Sequence, residues 1–263
     1  MAKKKKDSPT KKTIFIVGES PLVEEYAELC ASHGYAVKVR WNVSPKSQPK
    51  FGKLDIRPTS RPTARVSFAL ELTVIDLDRK QKNLRELGKY LPVSVPILSS
   101  SVSLAVAEQS PWVLHPERLI GTSAFPSFAK SRLMEFAPSL RTSKEHLSIA
   151  QEFCVSLRKE VSVVQDRLGM VLPRILCALV NEAYFALQEN ISTPQDIDLA
   201  MKLGTNYPLG PVEWGEKIGI SFIYAVLSGL QNDLGEDRYR VAPLLKQMAL
   251  SGKWWRQPSQ PGH

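Results

Sequence analysis

A short apolar run, Thr13-Ile-Phe-Ile-Val17, ends at Gly18, and residues 21–33 then place Leu22, Tyr26, Leu29 and Cys30 at helical spacing until Gly34 closes the segment. A second strand, residues 35–41, follows at once. Strand, helix and strand within about thirty residues make a βαβ unit, whose parallel strands need helices over the sheet faces. The fold class is therefore α/β, a Rossmann-like, doubly wound parallel sheet.

The rest of the chain extends that reading and then changes it. Residues 44–63 are Pro- and Ser-rich and read as a loop, and 66–76 (VSFALELTVID) as a third buried strand. An amphipathic helix over 79–90 and strands over 95–99 and 119–121 follow. After a helix at 144–157 and a last strand at 161–164, everything from Leu168 onward has helical spacing. This gives a Rossmann-like domain over 13–165 and a helical domain over 166–263. The helix at 168–189 is apolar around most of its circumference, which predicts a central buried helix. Thr193-Pro194 with Asp196 and Asp198 forms a helix start that Gly204 ends, and helices at 211–218, 221–234 and 242–250 complete the chain.

The net charge of +9 would suggest nucleic acid if it were spread over the fold. It is not. Six lysines lie in residues 1–12, read as a solvated, disordered arm, and seven basic residues lie in 40–66, a Pro-rich insertion, against one aspartate in each. The body is nearly neutral, and the basic segments lack the interleaved aromatics that stack bases, so no nucleic-acid partner is expected. The longest apolar stretch, 168–180, is broken by Pro173 and Arg174 and is too short for a membrane span. No signal peptide is read at the start, and Cys30, Cys154 and Cys177 are too far apart for a metal or CxxC site. A cytoplasmic protein with reduced, buried thiols is the expectation.

The stretch DIDLAMKLGTNYPLGPVEW (196–214), with Ile218-Gly219 and Arg238-Tyr-Arg-Val-Ala-Pro-Leu-Leu-Lys246, resembles the C-terminal domain of 3-hydroxyacyl-CoA dehydrogenases. Upstream, the Ser-rich strand end, Glu117-Arg-Leu-Ile-Gly121 and Asp166-Arg-Leu-Gly-Met170 follow the order of that family. The resemblance implies a nucleotide-type domain followed by an all-α domain that forms a homodimer interface. It also implies NAD as cofactor and, as in fatty acid metabolism, oxidation of a 3-hydroxyacyl-CoA to the 3-keto form.

The residues that would perform this chemistry depart from the family pattern. Of the three glycines that let a dinucleotide approach, the string Gly18-Glu-Ser-Pro-Leu-Val23 keeps Gly18 alone, and Glu19 and Glu24 add negative charge at a helix N-terminus, which argues against pyrophosphate. Arg40 and Trp41 stand where an acid should hold the ribose; Arg40 suits a 2′-phosphate, but the missing glycines argue against NADP as well.

The base implied by the resemblance is replaced by Ser123, twelve residues before the Glu135 that would orient it, and a hydroxyl cannot accept a proton near neutral pH as imidazole does. His115 is the only nearby substitute, in a Pro-flanked turn. Ser103 matches the family's assisting serine, with a hydroxyl satisfying backbone as its alternative role. Pro173 stands for an asparagine before Arg174 and is expected to kink or restart the helix. The insertion replaces a helical hairpin that covers CoA, leaving its arginines as possible phosphate contacts. Adjacent Trp254 and Trp255 are expected to anchor in a groove.

Three readings follow: a dimeric scaffold with a decayed dehydrogenase site that binds an acyl-CoA-like ligand; an active NAD-dependent enzyme with a re-sited base; or a purely structural or regulatory dimer.

Overall fold

The computed structural model describes residues 11–45 and 49–252; most of the basic arm and the Trp254-Trp255 end lie outside them. Strand β1 (Thr13–Gly18), helix α1 (Leu22–Ser32) and strand β2 (Ala36–Trp41) form the expected unit, with β1 and β2 parallel. The insertion is not entirely loop: Ile56–Pro58 forms a short strand, β3, on the outer edge of β2, with Val37 opposite Ile56. The apolar side chains of Phe51, Leu54 and Ile56 pack into the core beside α1, which gives this segment its order.

Next come β4 (Phe68–Leu72), α2 (Leu77–Tyr90), β5 (Ile97–Ser100), a single-turn α3 (Val106–Gln109) and β6 (Leu119–Thr122). Every residue of β4 is buried, as expected for a strand covered on both faces. Strand β7 (Leu133–Pro138) lies antiparallel to β6, an element the sequence reading did not contain. Helix α4 (Lys144–Ser156) returns to β8 (Glu160–Val163), which runs parallel to β7. The order is β3-β2-β1-β4-β5-β6-β7-β8, an eight-stranded, mostly parallel sheet among the described residues. Connections leave β1 toward one edge and β4 toward the other, so the switch point lies between these two strands.

Five helices follow: α5 (Leu172–Gln188), α6 (Pro194–Thr205), α7 (Pro211–Ile218), α8 (Ile220–Leu234) and α9 (Pro243–Ser251). Helix α5 begins later than the apolar pattern suggested, because Gly169 (φ 78°) and Met170 (φ 51°) are left-handed and Pro173 sits in its first turn. Pro173 therefore starts this helix rather than kinking it. One face, with Leu176, Cys177, Val180 and Tyr184, is buried; Leu172 and Ile175 are exposed, so the helix is not enclosed all round. Thr193 Oγ1 caps α6 by accepting the Asp196 N–H, and Asn206 (φ 55°), not Gly204, ends it. Asp198 has a separate role: its carboxylate accepts the N–H groups of Val212 and Glu213 and so caps α7. No described helix is long and apolar enough to cross a membrane.

Candidate functional site

Open α/β sheets take ligands in the crevice beyond the strand ends at the switch point, here between Gly18 and Leu72. A Cβ on Gly18 would lie 2.5 Å from the carbonyl carbon and oxygen of Leu72, so glycine is required for β1 and β4 to end side by side. The next residue occupies the crevice. The Glu19 carboxylate accepts N–H groups from Val74 (3.0 Å), Ile75 (3.1 Å) and Asp76 (2.9 Å), joining the loops after β1 and β4. Burial nonetheless raises its pKa above the ordinary 4.5, because lost solvation outweighs the donated hydrogen bonds.

This shift fixes a pH dependence. A carboxyl whose folded pKa is raised contributes stability below its unfolded pKa and loses it as pH rises through the folded value. Relative to Glu19→Gln, the wild type is expected to lose melting temperature as pH rises from the acid side of the glutamate range to neutrality. A gap that widened in favour of the wild type would contradict this.

At the start of α1, Glu24 Oε1 accepts from Ser20 Oγ (2.6 Å) and Trp41 Nε1 (2.9 Å), so the residue ending β2 is tied down over the helix N-terminus. The guanidinium of Arg40 is also committed, to Glu86 (2.5 Å), Asn83 Oδ1 (3.0 Å) and the Ser60 carbonyl (3.3 Å).

Behind the crevice lies a buried polar cluster that the sequence reading missed. Lys80 and Glu71 are both fully buried, with Lys80 Nζ 2.5 Å from Glu71 Oε2 and 2.9 Å from the Thr73 carbonyl. Asn83 donates to Glu71 Oε1, Asn42 and Thr73, and Ser99 Oγ joins Glu71 to Gln109. The available signal was an acid inside an otherwise apolar strand, nine residues before a helical lysine.

The candidate catalytic residues do not converge. Ser123 Oγ accepts the backbone N–H of Glu135 (3.0 Å) and their main chains pair, so the residues are neighbours across β6 and β7. The Glu135 carboxylate, however, is turned to helix α5 and accepts the N–H groups of Val171 and Leu172, each at 2.8 Å. Ser103 is buried and donates to the Val74 carbonyl at 2.7 Å. Arg174 bonds the Leu168 carbonyl and lies over Tyr239. His115 sits in a left-handed turn paired with Glu117 at 3.3 Å.

Comparison with known proteins identifies the scaffold. The family profile described as 3-hydroxyacyl-CoA dehydrogenase, NAD binding domain, matches residues 44–167, and that of the C-terminal domain matches 169–261. The chain belongs to the 3-hydroxyacyl-CoA dehydrogenase family. Among relatives, it is 29% identical over 195 residues to a 3-hydroxybutyryl-CoA dehydrogenase of Bradyrhizobium diazoefficiens, covering 74% of this chain and 66% of that one. A probable 3-hydroxybutyryl-CoA dehydrogenase of Bacillus subtilis is 27% identical, covering 76% and 70%. The chain thus spans roughly two thirds of these relatives' lengths. The structure of (S)-3-hydroxybutyryl-CoA dehydrogenase PaaH1 from Ralstonia eutropha superposes with a TM-score of 0.76 at 25% identity, covering 92% of this chain and 95% of that one.

One of the two profiles is that of an NAD binding domain, yet its match begins at residue 44, beyond the β1-α1-β2 unit. The residues of that unit do not fit the dinucleotide. Glu19 takes the N–H donors of the β4 loop, Glu24 and Trp41 close the helix start, and two carboxylates oppose a pyrophosphate there.

Proposed function

We propose that this family member does not carry out NAD-linked hydride transfer and is a dimeric scaffold that binds an acyl-CoA-like thioester. The observation that carries the reading is the orientation of Glu135: its carboxylate is spent on the N-terminus of α5, while the residue it would orient is Ser123. Losing a positioned base alone costs about 10²- to 10⁴-fold in rate, and among the described residues no histidine takes its place beside Ser123. His115, the nearest in sequence, is held by Glu117 in its own turn.

The thioester is supported by the names of the relatives, which act on 3-hydroxybutyryl-CoA. The dimer is supported by apolar side chains left uncovered on the helical part: Ile175 on α5, and Leu199 and Leu203, one turn apart on α6. A reducing, cytoplasmic setting agrees with three buried thiols whose pKa values burial raises, that of Cys154 to about 12.

The test combines NADH and acetoacetyl-CoA with absorbance and protein melting. The expected result is no loss of NADH absorbance, no melting shift with NADH, and a shift with acetoacetyl-CoA, since a ligand bound only by the folded state stabilises it. Ser123→His is expected to stay inactive, because Glu135 faces α5. Turnover by the wild type would sink the proposal in favour of an active enzyme. Absence of any thioester shift would sink its ligand half and leave a structural dimer.

A further inference from the structure

A cleft of about 840 Å³ lies between α1, the segment that joins β6 to β7 and the end of α4, and none of the candidate catalytic residues lines it. Its walls carry five cationic side chains, Lys130, Arg132, Arg158, Lys159 and Lys217, against two carboxylates, Glu25 and Glu28. Glu25 is committed to the chain rather than to the cleft, since it accepts the Ser127 N–H through both oxygens. Of the cations, Arg132 pairs with Glu160 and Lys159 donates to the Ser131 carbonyl. Lys130, Arg158 and Lys217 are exposed and form no ion pair among the described residues, and Lys217 lies over the Trp214 ring. Leu29, Leu54 and Leu157 supply apolar wall between them.

The cleft walls are also where the backbone is held against its preference. Ser127 (φ 72°) and Arg158 (φ 57°) are left-handed without being glycine. Arg158 follows the last turn of α4, a position that favours glycine strongly. Retaining a long cationic side chain there places its charge at the cleft, and strain of this kind gathers at ligand sites. The two walls are fixed to each other: Ser127 Oγ donates to the Lys217 carbonyl at 3.0 Å, and Phe128 stacks on Trp214 at 5.3 Å. The arrangement is therefore preformed across the α/β and helical parts of the chain.

The geometry points to a binding site for a small ligand carrying clustered phosphates, with Lys130, Arg158 and Lys217 meeting the phosphates and the leucines meeting a flat or apolar remainder. The volume suits a nucleotide-sized molecule. This site is separate from the switch point and stands or falls independently of the thioester reading.

The test titrates inorganic pyrophosphate and ADP into the full chain, following melting temperature and heat of binding. Pyrophosphate is expected to raise the melting temperature, and the effect to weaken as salt is added. Lys130→Ala with Lys217→Ala should weaken binding about tenfold or more. Arg158→Gly separates function from folding: it relieves the left-handed backbone, so the unliganded variant should melt about 2–4 °C higher while binding pyrophosphate less tightly. Arg79→Ala, on the exposed surface of α2, should leave both unchanged. A larger shift with ADP would assign the apolar wall to a nucleoside; equal shifts would assign the site to inorganic phosphates. Absence of a shift with both probes, or a shift undiminished in the lysine and Arg158 variants, would overturn the proposal.

Discussion

Lys80→Met is expected to destabilise the protein by about 3–5 kcal/mol, lowering the melting temperature by roughly 10 °C. The ammonium is fully buried and lies 2.5 Å from Glu71 Oε2, so its removal leaves a carboxylate in the interior with only neutral donors, Asn83 and Ser99. The cost comes from the abandoned charge more than from the lost attraction, since an ion pair and its desolvation roughly cancel. Two variants distinguish these contributions. In Glu71→Leu with Lys80→Met no charge is buried, and much of the loss should return. Recovery should remain incomplete, because the Thr73 carbonyl would lose the Lys80 ammonium, and Asn83 and Ser99 would each lose one of their bonds while keeping those to Asn42 and Gln109. Denaturant unfolding of the single and double variants measures both. A Lys80→Met protein as stable as the wild type would show that the pair contributes nothing.

The cluster also explains why the switch point is rigid. Thr73 and Asn42 are bonded to one another and to Asn83, and Asn83 accepts from Arg40 at the end of β2. Glu19 then fastens the β4 loop from the other side. Side chains from β2, β4, α2 and the loop after β1 thus hold together the crevice in which a dinucleotide would have to lie. The sheet order opens a crevice, and Glu19 bridges the loops on its two sides.

Much of this architecture was legible from periodicity. The strand β1, the helix α1 and the strand β2 follow directly from an apolar run, a helical stripe and two glycines, because β-strand and helix periods are physically distinct. The helices after Leu168 were legible from helical spacing, but the role of Asp198 was not: it was read with the start of α6, whereas its carboxylate caps α7, with Gly210 so close that a Cβ would lie 2.2 Å from it.

Strand β7 was not legible, since Leu133-Met-Glu-Phe-Ala137 is short and has a carboxylate in the middle of an apolar run. Such an acid reads as a break in the pattern until its partners are seen. The short strand β3 was hidden in the same way by the prolines around it, and pairs at a sheet edge where proline is tolerated. That a serine stands at position 123 and a proline at position 173 could be read from residue identity alone. The positions of Glu19 and Glu135 could not, because a carboxylate commits to backbone donors only after distant loops have been brought together.

Glu135→Ala is expected to cost about 3 kcal/mol of stability, the second largest effect of any single change considered. Its two oxygens satisfy the first N–H groups of α5, those of Val171 and Leu172, at 2.8 Å each, and Pro173 lacks an N–H. With no serine, threonine or aspartate at its own N-cap, where Val171 stands, the helix depends on a carboxylate from another strand, and its dipole favours that negative charge. Alanine would leave both N–H groups without a protein partner and empty a buried position. Glu135→Gln keeps one acceptor oxygen and should lose only about half as much. Hydrogen exchange at the first turn of α5 reports the effect locally: exchange at residues 171 and 172 should quicken far more than at Val180, deeper in the same helix. An oxidoreductase whose base was oriented by this glutamate would behave differently, losing rate in both variants while its folding stability stayed unchanged. If the alanine variant unfolds at the wild-type denaturant concentration, the capping role is wrong, and Glu135 is free to serve chemistry at Ser123.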